Sequence, residues 1–399
     1  MRLTLINQFY APDISPTAQL ASSLAEHRAE RGDQVTVIAG RAGYLEGLAH
    51  TGPARATPRV AVRRVWTPDL GKSALWRRLL GYLTFFVGGT LRLLALPRQD
   101  VIVAMTTPPF IVVSAVLHKI LRRDARVVLW SMDCYPDAAE RFGELRAGGV
   151  LSRAQRRVNR WAFRRIDHVV ALDGAMVRLL ESQYAAGPGR PPFTVIPNWE
   201  RLEQFPVADH AGRWPGYDSL PDDGRAVVLY LGNTGVGQRF DTVLAAAEQL
   251  ADEAAFVFVG GGVRWADLAA TVAARNLTNV SMHPYVPKEA TPAVMAGADA
   301  ALITLDERSL GVMSPSKLHA NLAAGLPVLY VGPPGSNVDE AIERFGCGTS
   351  LREGDVDGLV TAVRALPPRA ESVPRSRSAF EAAYCDAATL PRWDAVLEA

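Results

Sequence analysis

The chain has 399 residues, 48% of them apolar and 21% charged, with a formal net charge of +2. That length exceeds one ordinary core and fits two domains, and the near-neutral balance excludes the basic excess of a nucleic-acid-binding protein. Three cysteines, Cys134, Cys347 and Cys385, stand far apart without CxxC or Cys/His spacing; this indicates neither a zinc site nor a disulfide framework and suits a reducing cytoplasm.

Met1 to Ile6 read directly into a strand instead of a basic and then apolar leader, so no secretory signal is expected. Short β-branched runs at 2–6, 35–39, 101–105, 127–130, 168–171 and 194–196 predict buried strands with helices between them. A stretch rich in Pro, Gly and Asp at 206–224 interrupts the pattern. New strands are predicted beyond it at 226–231, 256–259, 280–282, 300–303 and 328–331. The alternation predicts an α/β chain with two doubly wound parallel sheets. We place the first domain at 1–205 and the second at 206–375. A last helical segment, 376–399, carries Phe380, Tyr384, Leu390 and Trp393 and is drawn as reaching back toward the first domain. Ligands of open α/β sheets bind at the carboxyl ends of strands, so the chemistry is sought in those loops.

Two segments of the first half are unusually apolar. Residues 75–97, LWRRLLGYLTFFVGGTLRLLALP, set Arg77 and Arg78 beside Trp76, Tyr82, Phe85 and Phe86. Arg92, three glycines and Pro97 interrupt the run, which argues against a spanning helix. Residues 110–123, FIVVSAVLHKILRR, end in Lys119, Arg122 and Arg123. Two readings stay open: helices buried inside the first domain, or a basic, apolar surface for anionic lipid on the inner face of a membrane.

The sharpest local motif is SPSKLHANLAAGLPV at 314–328. Ser314, Pro315 and Ser316 open a helix, Gly325 ends it and Pro327 leads into a strand. Lys317 falls in the first turn, where the macrodipole disfavours a cation unless an anion is bound. A diphosphate on the free N–H groups of that turn would resolve the conflict, and the ammonium would neutralise charge on a leaving diphosphate. The plainer alternative is a solvated lysine behind a serine cap. Residues 230–240, YLGNTGVGQRF, put Gly232, Gly235 and Gly237 in a strand-to-helix loop with Gln238 and Arg239 as nearby donors. The spacing is not GxGxxG, and the next strand closes on Gly260-Gly261-Gly262 without an acid to hold a ribose, which disfavours a dehydrogenase. Asp355-Val356-Asp357 spells DxD but sits at a helix start, where acids cap.

Together YLGNTGVGQ, HPYVPKE (283–289) and SPSKLHANLAAGLPV resemble the donor half of GT4-family glycosyltransferases. NQFYAPD (7–13), WSMDCYPD (130–137) and VIPNW (195–199) are similar to that family's acceptor-side loops and inter-lobe segment, so the resemblance covers most of the chain. It implies a GT-B fold, two Rossmann-like domains facing a cleft. It also implies retaining transfer from a nucleotide-diphosphate sugar without an essential metal or other cofactor. On matching positions, Lys317 would contact the diphosphate, Gly232 and Asn233 would border sugar and phosphates, and Pro284, Tyr285 and Val286 would flank the base. Gly235, Gln238, Arg239, Gly261, Ser314, Ser316, His319 and Asn321 complete the expected donor side; Pro12, Asp13, Tyr135 and Asn198 make the acceptor side.

The chain departs from the pattern at the family's paired glutamates, which would fall at Val312 and Ala320. Asp306, Glu307, His319 and Asn321 stand near the missing acids. Asp133, at a strand end where the loop reads Asp-x-x-Pro, is the candidate to orient or deprotonate an acceptor hydroxyl or to stabilise the cationic sugar, against a loop-capping role; Asp13 and Asp137 are weaker candidates. The expected partners are a nucleotide sugar and an acceptor saccharide, lipid-linked or another cell-envelope precursor. Competing readings are a nucleotide-sugar epimerase on the same fold and a noncatalytic scaffold that has lost the glutamates.

Overall fold

Leu3 to Ile6 and Val101 to Ala104 put apolar side chains on both strand faces, which suits parallel strands covered by helices on each side. In the computed structural model both runs are buried. The structure describes residues 1–13, 15–41, 59–68, 75–122, 125–187, 189–205, 214–220 and 224–399. The chain divides into two compact units, Met1–Ile196 with Leu390–Ala399, and Pro197–Thr389.

The first unit begins β1 (Arg2–Ile6), α1 (Pro16–Glu30), β2 (Gln34–Gly40), β3 (Val60–Val65), α2 (Leu75–Leu94), β4 (Val101–Ala104) and α3 (Val112–Arg122). It continues β5 (Arg126–Ser131), α4 (Asp137–Arg141), α5 (Val150–Phe163), β6 (His168–Ala171), α6 (Gly174–Tyr184) and β7 (Phe193–Val195). The second unit holds β8 (Ala226–Asn233), α7 (Asp241–Gln249), β9 (Ala254–Gly261), α8 (Trp265–Ala274), β10 (Val280–His283), α9 (Thr291–Ala296) and β11 (Ala300–Thr304). Then come α10 (Lys317–Ala323), β12 (Val328–Val331), α11 (Asn337–Phe345), β13 (Gly348–Leu351), α12 (Val356–Arg364) and α13 (Arg369–Ala383). A last helix, α14 (Asp386–Glu398), starts in the second unit and ends in the first.

Both sheets are parallel, in the orders β3-β2-β1-β4-β5-β6-β7 and β10-β9-β8-β11-β12-β13. The two orders follow one plan: three strands run outward in one direction, then the chain returns beside the first and continues in the other. The crevice at such a reversal is where ligands of this architecture sit. It falls between β1 and β4 in one unit and between β8 and β11 in the other. Strands β3, VAVRRV, and β13, GTSL, escape a reading of apolar runs because both are edge strands. An edge has one neighbour and tolerates polar and charged residues.

The first unit is closed by the end of α14. Trp393 is fully buried and its ring lies 4.5 Å from Trp130, the large aromatic of β5. Beside it Arg28, 3% exposed, donates to Asp33, Asp394 and Glu398 over 2.6–2.7 Å. The buried guanidinium is thus surrounded by carboxylates, without which its desolvation would cost several kcal/mol. We expect Trp393→Ala to cost about 3–5 kcal/mol, the range for truncating a fully buried aromatic. Urea unfolding followed by tryptophan fluorescence reads this, and a loss below about 1 kcal/mol would show that the C-terminal turns do not hold the first unit together.

Candidate functional site

Two glycine-bearing strand ends build one side of the site in the second unit. β8 closes on Gly232 and Asn233 and pairs with β9 in register through Gly232 and Gly260. Gly232 has φ +121, and a Cβ there would lie 3.1 Å from Lys317 Cε. Gly260 has φ +153, and a Cβ there would lie 2.1 Å from the Gly232 carbonyl oxygen. Both backbones lie in a region L-residues avoid; at Gly260 the space is also filled by backbone, whereas at Gly232 only the lysine stem would have to give way. The turn that follows is held by Gly235 N–H donating to Gln238 Oε1 at 2.6 Å. The Gly237 carbonyl accepts Asp306 N–H at 2.9 Å and Ser309 Oγ–H at 3.3 Å, which ties this turn to the loop after β11.

Lys317 is the first residue of α10 and reaches over this turn. Its ammonium donates to Tyr230 Oη at 2.9 Å and to the Asn233 carbonyl at 3.1 Å, and lies 4.6 Å from the centre of the Tyr230 ring. Tyr230 in turn donates to the same Asn233 carbonyl at 2.8 Å. Every partner is neutral, and among the described residues no carboxylate lies within ion-pair distance of Lys317. Desolvation by the surrounding protein pushes the amine down to about 8. A cation in that position is stabilised when an anion arrives. β8 and β11 flank the reversal of strand order, so this anion-seeking group stands where the fold places ligands.

The other expected donor-side residues separate into three groups. Asn233 is exposed beside the ammonium, and Tyr285, 60% exposed, donates to the Gly261 carbonyl at 3.3 Å. That hydrogen bond brings the segment after β10, with Pro284 and Val286, to the glycine turns. Arg239 instead forms an exposed pair with Asp241 at 3.1 Å, and Ser316 precedes α10 without a side-chain cap bond while Ser314 is half-buried. His319 and Asn321, two residues apart in α10, are both buried. The imidazole stacks 5.1 Å from Tyr384, and burial drives it down to about 3, so it is neutral. At the positions of the missing glutamates, Val312 is fully buried and Ala320 packs on the core. Asp306 caps a short turn and is paired with Arg308 at 2.8 Å; Asp355 caps α12 through Gly358 N–H.

In the first unit the candidate loops follow β1, β4 and β5. The backbone N–H groups of Met132 and Asp133 both donate to Thr106 Oγ1 at 3.1 Å, fixing the turn that presents Asp133. Desolvation raises the Asp133 carboxyl to about 6. Tyr135 is nearby, its phenol pushed up by burial and by the charge of Asp133, and its carbonyl accepts Asn159 Nδ2–H at 2.7 Å. Asp13 accepts Ser15 N–H at 2.7 Å beside Pro12, a capping role. Asp137 is buried against Arg156 at 2.7 Å and the Tyr184 hydroxyl, a structural ion pair. Asn198 is buried in the second unit with its Oδ1 unpartnered. Three contributors escaped the motif reading: Tyr230, inside the quoted run but read as strand; Thr106; and Arg64, which donates to the carbonyls of Gly40, Tyr10 and Ala11 and so pins the loop after β1. Only the doubled arginine in an otherwise β-forming run hinted at Arg64.

Two parallel Rossmann-like units of one strand plan, joined in one chain, are a GT-B fold. Residues 17–199 match the family model described as a glycosyl transferase 4-like domain. Over 269 residues the chain is 25% identical to the probable glycosyltransferase WbjE of Pseudomonas aeruginosa, covering 67% of this chain and 66% of that protein, just under two thirds of its length. Over 391 residues it is 25% identical to an Escherichia coli K12 protein bearing the name colanic acid biosynthesis glycosyl transferase WcaI, covering 94% and 95%. The Anabaena protein HepE, solved with UDP and glucose, has the same fold, with a TM-score of 0.71 at 13% identity over 100% of both chains. The chain is thus similar to glycosyltransferases that carry a glycosyl transferase 4-like domain.

The close approach of the two glycine turns predicts that Gly260→Ala costs at least about 2 kcal/mol, from strained backbone and a methyl forced onto the Gly232 carbonyl. Gly354→Ala, also at positive φ but with nothing within 4 Å of the new methyl, should cost only about 1 kcal/mol. Denaturant unfolding of the two variants checks the difference; equal losses would mean the turns are not packed as described.

Proposed function

We propose that the protein is a retaining glycosyltransferase that moves a sugar from a nucleotide-diphosphate donor to an acceptor hydroxyl. The observation that carries the reading is Lys317, a desolvated ammonium with only neutral partners, poised over glycine turns at the carboxyl ends of β8 and β11. A diphosphate supplies the missing charge. As the C1–O bond to the diphosphate breaks, negative charge grows on the leaving oxygens, and Lys317 neutralises it without a divalent metal. Asn233 and Gly232 border the sugar and phosphates, and Tyr285 with Pro284 and Val286 flanks the base. UDP bound in HepE, which has this fold, makes a uridine nucleotide the first donor to try. The retaining outcome follows from the GT4 resemblance.

The acceptor side is assigned to the first unit, with Asp133 orienting the attacking hydroxyl or taking its proton while the new glycosidic bond forms. A carboxyl raised to about 6 is ionised at neutral pH yet basic enough to accept a proton. The name of WcaI points to polysaccharide precursors as acceptors, with a lipid-linked saccharide at the inner membrane face as the form we favour.

Calorimetric titration of UDP, GDP and dTDP and their sugar conjugates tests the donor half. One nucleotide should bind the wild type, and Lys317→Ala should weaken it by about 1–3 kcal/mol, the loss of a charged hydrogen-bonding partner. Binding of none would move the noncatalytic scaffold ahead of the transferase. The pH dependence follows from the two shifted groups. Asp133 must be ionised, so kcat/KM rises with pH through about 6; Lys317 must be charged, so it falls as pH passes about 8. The profile of kcat/KM should therefore be a bell between those values, and Asp133→Asn should remove the acidic limb; an unchanged acidic limb would take Asp133 out of the mechanism.

A further inference from the structure

Helix α13 presents two adjoining faces to the second unit. One packs on α10, the helix that starts at Lys317. A Cβ placed on Gly325, just past the end of α10, would lie 2.8 Å from Val373 Cγ1; Arg377 donates to the Ala323 carbonyl at 2.6 Å; and Phe380 shares the core with Leu318 and Leu322. The other face carries Ser372 and Ser376, which line a cavity of about 150 Å³ walled by Pro327, Val328 and Leu366. Val328 opens β12 and Gly348, also in the wall, opens β13, so the cavity lies at the amino ends of these parallel strands. Lys317 stands at the carboxyl ends of the same sheet, and the cavity is therefore separate from the donor site.

The wall defines what fits. Ser372 and Ser376 are 2% and 1% exposed, one helical turn apart, and neither hydroxyl has a hydrogen-bond partner among the described residues. A serine inside a helix ordinarily donates to the carbonyl four residues back; these two do not, and a buried hydroxyl left unpaired is destabilising. One charged side chain stands in the wall, Arg375, exposed at the rim and without an ion-pair partner among the described residues, and no Asp or Glu accompanies it. The Cys347 thiol in the same wall is neutral, since burial raises it to about 11. A cavity of about 150 Å³ accepts a ring the size of benzene. Apolar walls, two inward hydroxyls and a cation at the rim together suit a carboxylate carried on a ring-sized apolar body.

We propose that this cavity is a second ligand site, which takes a small monocarboxylate of about the size of benzoate and, when filled, shifts α13 against α10. Arg375 and the serine hydroxyls donate to the carboxylate, and the ring meets Pro327, Val328 and Leu366. Pro374 lies between the two serines; having no N–H, it leaves the helix one hydrogen bond short at that turn, so α13 yields where the ligand presses. Helix α10 is only 7 residues long, about 10 Å at 1.5 Å per residue, and a displacement at Ala323 and Gly325 carries to Lys317 at its other end. Occupancy then changes the affinity for a nucleotide, and the nucleotide changes the affinity for the carboxylate by the same factor. This coupling rests on the diphosphate role given to Lys317; the cavity site does not.

Ligand-observed NMR of the full chain with benzoate, toluene and inorganic phosphate tests the site. Benzoate should bind at millimolar concentration or below, at least about tenfold better than toluene, which lacks the charge, or phosphate, which lacks the ring. Arg375→Gln should weaken benzoate about tenfold, the loss of one charged hydrogen-bonding partner, and leave toluene unchanged; Ser376→Leu, which fills the cavity, should abolish both. Arg375 is exposed, so its variant reads the site even where Ser376→Leu lowers the unfolding midpoint. Lys317→Ala should bind benzoate like the wild type, which separates this site from the donor site. Saturating benzoate should change the affinity for UDP, or for the nucleotide found to bind, about fivefold or more in the wild type and not in Ser376→Leu. Toluene binding as tightly as benzoate, benzoate binding lost in Lys317→Ala, no benzoate binding, or binding indifferent to Arg375→Gln would overturn the site and leave the serines to ordered water. Benzoate binding without any nucleotide binding would sink the donor reading while the cavity site stands, and a nucleotide affinity that benzoate does not move would overturn the coupling.

Discussion

A half-buried ammonium without a counterion is costly, and the second unit is arranged around one. Lys317 gives up part of its hydration and gains a phenol, a carbonyl and an aromatic face, none of which carries a full negative charge. Such a group is kept charged only by a fold that fixes its surroundings. Here the fixing is done by backbone: Gly232 clears the lysine stem, Gly260 lets β9 close against Gly232, and Tyr230 ties the ammonium to the Asn233 carbonyl. The surroundings of the ammonium are thus set by the strand ends, and α10 supplies the cation.

The first unit applies the same plan to different chemistry. Its reversal of strand order, between β1 and β4, gathers loops in which a threonine hydroxyl fixes a turn and a carboxylate is raised instead of an ammonium lowered. Desolvation acts in both cases, destabilising the charged form. It makes the lysine a better receptor for an anion and the aspartate a better receptor for a proton. The helices on one face of that unit bury one side in the core and leave the other apolar and basic.

Much of this was legible in the sequence, because strands buried on both faces announce themselves as continuous apolar runs and glycine after a strand marks a close approach. Lys317 was legible too, as a cation at a helix start where a cation is out of place. What escaped had physical reasons. β3 and β13 are edge strands whose composition is set by solvent. Tyr230 and Thr106 act through hydrogen bonds between segments distant in sequence, which no local pattern encodes. His319 and Asn321 sit in the motif yet are buried; two residues apart, they lie on nearly opposite sides of α10, so the fold covers this helix on both sides.

The most direct test is the protonation of Lys317 itself. The chain has four lysines, Lys72, Lys119, Lys288 and Lys317, so side-chain NMR of lysine-labelled protein, assigned with Lys317→Arg, follows each through a pH titration. In the free protein Lys317 should titrate near 8, and saturating UDP or the nucleotide found to bind should move it upward toward or beyond the ordinary lysine range. A lysine that titrates normally in the free protein, or one that bound nucleotide does not move, would contradict the account of Lys317 as the diphosphate's counterion.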